Sequence, residues 1–124
     1  MTSHTVLLGL SGEASHQKVA LGVVAGSQRG DAGVPHGELL VRLCEAMVAE
    51  DREAVAAVRV EMVAAMNEAA FVDAVGVSSL FHLMNRVANA TGTPVDTFLL
   101  APVSQIAGAI GADAFESSKD TQLP

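Results

Sequence analysis

FVDAVGVSSLFHLMNRVANATGTPVD, residues 71 to 96, decides the fold class. Leu80, Leu83, Met84, Val87 and Ala88 recur at spacings of three and four, which places them on one face of a helix with 3.6 residues per turn. His82, Asn85, Arg86 and Asn89 fall on another face and form a polar edge. Gly92 accepts the left-handed cap conformation and Pro94 cannot continue the hydrogen-bond ladder, so the helix stops there. At its other end Asn67 has the chemistry of an N-cap, and Glu68 sits at the positive end of the helix, which therefore runs from Glu68 to about Ala90. Gly76 lies inside it. An interior glycine costs roughly 1 kcal/mol against alanine, so its presence predicts close packing with another helix.

Two further helices precede this one. Between Gly37 and Glu50, Leu40, Leu43, Cys44, Met47 and Val48 form an amphipathic stripe, with Cys44 inside it. After a capping Asp51, Val55, Val58, Met62 and Met66 keep helical spacing through an alanine-rich segment that ends near Asn67. Downstream, Pro102 at a helix start, Val103, Ile106 and Ile110, and Gly111 at the stop describe a short fourth helix. Ser15 to Ala25 reads as a helix interrupted by glycines, and residues 28–37, QRGDAGVPHG, as a loop. Arg29-Gly30-Asp31 in that loop reads as an ordinary turn rather than an adhesion ligand. The expectation is a single all-α domain over residues 1–115, best supported over 38–115, with a flexible tail at 116–124.

Composition narrows the function. Half of the residues are apolar and only 17% are charged, giving a mean hydropathy of +0.39. A 124-residue monomer has little interior in which to hide so much apolar side chain, which predicts a homo-oligomer. The longest uncharged run, residues 97–112, is broken by Pro102, Ser104 and Gln105, so no membrane span is expected. MTSHTVLLGL lacks a basic region before its apolar run and does not read as a signal peptide, so a cytoplasmic location is expected. A net charge of −7, without a basic cluster, argues against nucleic acid as a partner. One cysteine, Cys44, leaves no pair for a disulfide, a CxxC redox motif or a zinc site within these residues.

The run LFHLMNRVANATGTPVD resembles the C-terminal helix of the alkylhydroperoxidase D-like branch of the carboxymuconolactone decarboxylase superfamily, where an Asn-Arg pair precedes an alanine-containing turn, a glycine and a proline. EAMVAEDREAVAAVRVEMVAAMNEAAFVDAV is similar to the helices before it, so the resemblance covers roughly residues 38 to 115. It implies an all-helical, homo-oligomeric protein related to peroxiredoxin-like enzymes, with a small-molecule ligand and no cofactor. Redox-active members carry CxxC followed four residues later by histidine: one thiolate attacks the peroxide, the second thiol resolves the sulfenic acid, and histidine with a carboxylate moves protons. Matching His16 to that histidine places Gly9 and Gly12 where the thiols would stand. A two-cysteine peroxidase mechanism is therefore excluded under any alignment of these residues.

Other candidate sites follow from residue chemistry. His16 and Glu13, three residues apart, would share a helix face and serve as acid and base. Cys44 is the one possible sulfur nucleophile, but its stripe predicts a buried core thiol that reagents modify slowly. His82, Asn85 and Arg86 would line a pocket or a subunit boundary; as structural residues, Arg86 would pair with Asp73 or Asp96 and Asn85 would hold a neighbouring backbone. His4, His16, His36 and His82 have no metal-ligand spacing. A rival resemblance exists. Asp73-Ala74-Val75-Gly76 is similar to the Asp-Ser-Ser-Gly turn of anti-sigma-factor antagonist (STAS) domains, which implies a protein-binding regulator with VLLGLSGE as its first strand. Ala74 and Val75 replace the switch serines, and Glu53 to Met66 would have to contain a strand.

Overall fold

Capped helices build the chain. The computed structural model describes residues 2–109 apart from Ala25 and Ser27. They form α1 (Thr2–Ala14), α2 (Leu21–Val24), α3 (Gly37–Val48), α4 (Arg52–Met66), α5 (Glu68–Thr91), a 3-10 turn (Thr97–Leu99) and α6 (Leu100–Ala109), with no strand among the described residues. The expected tail at 116–124 lies outside them, as do Ile110 and Gly111.

The joints from α3 to α5 follow the cap chemistry read from the sequence. Asp51 Oδ1 accepts the backbone N–H groups of Glu53 and Ala54 at 3.1 and 3.0 Å, satisfying donors that the first turn of α4 leaves open. Asn67 ends α4 and caps α5 at once: its φ is 89°, and its Oδ1 accepts the Ala70 N–H at 3.0 Å. Gly92 closes α5 in the left-handed conformation with φ 63°. Pro102 falls in the first turn of α6, where a missing N–H leaves nothing unsatisfied.

Burial is divided between two cores. In the first, Leu43 of α3 meets Val58 and Met62 of α4, and Phe71, Ala74 and Val75 from the N-terminal half of α5 pack on them. In the second, Val6 of α1 meets Leu99 and Val103, with Val95 and Ile106 against them. The C-terminal half of α5 belongs to neither cluster of buried side chains.

Four expectations change. Ser15 to Ala25 is not one helix: α1 occupies the glycine-containing segment before it and ends at Ala14, and among its described residues only Leu21–Val24 is helical. The α3 stripe centres on Leu43 with Leu39, Leu40, Ala46 and Met47, which turns Cys44 and Val48 out to solvent. A Cβ added at Gly76 would meet nothing within 4 Å, so no helix among the described residues packs closely there. The residues that the STAS resemblance needs as strands, Val6 to Glu13 and part of Glu53 to Met66, are helical in α1 and α4. No helix among the described residues is long and apolar enough to cross a membrane.

Candidate functional site

The polar edge begins one turn earlier than its sequence suggests. At about 100° per residue, Ser78, His82, Asn85, Arg86 and Asn89 continue the face of α5 that carries Phe71, Ala74 and Val75 into the first core. Ser78 is the one buried residue of α5, and its Oγ lies 3.7 Å from Cys44 Sγ on α3, a weak contact in which either atom can donate. His82, one turn on, is half-buried, and Asn85 and Arg86 are exposed. Helix α3 therefore delivers an exposed thiol to the head of a polar row that runs down α5. The spacing of Ser78, His82 and Arg86 carried this signal, but the serine was concealed by its place in an otherwise apolar run.

The core reading of Cys44 does not hold, because the turn of α3 that points Leu43 inward carries the next residue about 100° away. Its thiol is open to reagents, so the expected slow modification gives way to ready labelling of the native protein. The polar row is also freer than expected. Among the described residues Arg86 forms no ion pair: Asp73 stands about 20 Å away along the same helix, and Asp96 lies beyond the Gly92 cap. The Asn85 side chain makes no hydrogen bond among the described residues, so it holds no neighbouring backbone. The ion pair that does form joins Arg42 of α3 to Glu61 of α4, two parallel bonds of 2.7 Å each. Hydrogen bonding to Arg42 holds the Glu61 carboxyl below its ordinary range. Whatever that exposed pair contributes is present above the usual carboxylate pKa and is lost as pH falls through the lowered one.

Glu13 and His16 are not brought together as an acid and base. Helix α1 ends between them, and His16 turns away in a left-handed conformation with φ 56° while its backbone N–H bonds the Glu13 carbonyl at 3.1 Å. Both side chains are exposed, and no hydrogen bond joins them. His36 precedes α3, and His4 packs its ring edge-to-face on Phe81 of α5 at 4.9 Å. These histidines are spread over separate elements, and no cluster of His, Cys, Asp and Glu able to hold a metal exists among the described residues.

An open depression of about 550 Å³ at the α3–α4 corner contains none of the expected site residues. Its floor is Met47 and Val55, and its rim sets Arg52 and Arg59 against Glu50 and Asp51, so it presents no net charge to a ligand. The row from Cys44 to Arg86 thus remains the arrangement with chemistry to offer. Comparison with protein-family models, with characterised proteins and with solved structures yields no match to this chain.

Proposed function

We propose that the chain is a divergent member of the alkylhydroperoxidase D-like branch of the carboxymuconolactone decarboxylase superfamily. In this reading it has given up two-cysteine peroxide chemistry and serves as a homo-oligomeric module that binds a small molecule along Ser78, His82, Asn85 and Arg86. The observation that carries the reading is the row itself: one exposed thiol whose polar neighbour is a hydroxyl, followed by amide and guanidinium groups with hydrogen bonds still to make.

The chemistry explains the division between binding and catalysis. Attack of a thiolate on peroxide breaks the O–O bond and leaves a sulfenic acid, with water or an alcohol departing. Regeneration then needs a second thiol to form a disulfide and release water, and the 124 residues contain only Cys44. Ser78 cannot replace that thiol. The unspent donors of Asn85 and Arg86 suit an oxyanion of a small ligand, held by charge-assisted hydrogen bonds.

Peroxide consumption with dithiothreitol as reductant tests the assignment. Wild type and Cys44→Ser should both run at the uncatalysed rate. Turnover by wild type that Cys44→Ser abolishes would overturn the reading in favour of a one-cysteine enzyme recycled by an external thiol.

A further inference from the structure

Helix α5 is apolar on two opposite sides, and among the described residues only one of them is covered. Phe71, Ala74 and Val75 face the first core. Val72, Val77, Leu80, Leu83, Met84 and Val87 are between 47% and 60% exposed and fall within an arc of about 140° on the other side. Together they leave on the order of 600 Å² of apolar surface in water, at the upper end of the largest patch on an ordinary monomer. A standard interface takes about 800 Å² from each partner.

We infer that a second copy of this chain covers that side, with α5 lying antiparallel on α5 about a two-fold axis near Ser79 and Leu80. The inference rests on the oligomeric part of the function proposed above and gives it a surface. Two pairings of the helix are self-complementary about that point. The axis pairs Val72 with Val87, so apolar ends meet. It sets Gly76 opposite Leu83, where the missing side chain leaves room for a leucine, and nothing among the described residues fills that space. Asp73, the charged residue within the arc, falls at the level of residue 86 of the second copy and so away from the second Asp73. Residues 74–95 carry no acidic group, so two chains of net charge −7 can meet there without like charges in contact. The polar row from Ser78 to Arg86 stays outside this interface, on the opposite side of the helix.

Sedimentation velocity over a dilution series decides the matter. Wild type should associate. Leu83→Glu and Gly76→Leu should each weaken association about a hundredfold, the first by placing an unpaired charge in the contact and the second by filling the space opposite Leu83. Val60→Glu, at an exposed position on α4, should leave association unchanged. Circular dichroism checks that each variant keeps its helices. Should either unfold, Leu80→Cys in a Cys44→Ser background supplies a second measurement: a short bismaleimide should link two chains. A monomeric wild type would overturn both this inference and the homo-oligomer reading. A wild-type oligomer that resists the α5 substitutions, or fails to cross-link through Leu80→Cys, would overturn this interface alone.

Discussion

Met62→Ala is expected to remove about 2–5 kcal/mol of unfolding free energy. Met62 is fully buried where α3, α4 and α5 converge, and it belongs to the same cluster as Leu43 and Val58. Truncation removes the transfer energy of three heavy atoms and leaves a void that three helices, fixed by capped joints, cannot close. A domain of this size holds only about 5–15 kcal/mol in total, so the loss is a large fraction of its stability. Urea denaturation followed by circular dichroism measures it. A loss below about 1 kcal/mol would mean that the first core repacks freely.

Gly37→Ala should lower stability by about 3 kcal/mol, although the residue exchanged is among the smallest. A Cβ at Gly37 would run into the backbone carbonyl of Asp31. That carbonyl cannot easily move, because it accepts the Val34 N–H at 2.9 Å while Asp31 Oδ1 accepts the Gly33 N–H at the same distance. Gly76→Ala supplies the control. Its Cβ would enter open space in the single chain, and at concentrations where the protein is monomeric it should add about 0.5–1 kcal/mol through helix propensity. The same chemical change therefore acts with opposite sign at two glycines. Equal effects at both, measured by the denaturation midpoint, would show that the loop before α3 yields.

Local signals accounted for the elements that the sequence made legible. Asp51, Asn67 and Gly92 act through groups only a few residues away, and each ends or begins its helix where the residue type indicated. Helical spacing also selected Val58 and Met62 for the first core correctly. It failed where a choice between faces was needed. In α3, Leu39 and Ala46 outweighed Cys44, a preference that depends on where α4 lies. In α5 the stripe through Leu83 and Met84 is genuine, yet the face turned to the first core carries Phe71 and Val75 above and the polar row below. Periodicity records that a face is apolar, and says nothing of which neighbour meets it. The N-terminal segment was illegible for another reason: its glycines suppress the helix pattern, and α1 persists through packing of Val6 in the second core.

The division into two cores also sets an order of events in time. Helices α3 and α4 meet across a turn of three residues, Ala49 to Asp51, so their contact closes almost as soon as the helices form. Val6 must find Val103 across nearly the whole described chain, and the entropy of closing that loop is repaid by only a small cluster. The clasp between α1 and α6 should therefore form last and open first. In native-state hydrogen exchange, amides of α1 and α6 would exchange through an opening that leaves α3 and α4 protected, whereas uniform protection would mean that the two cores melt as one.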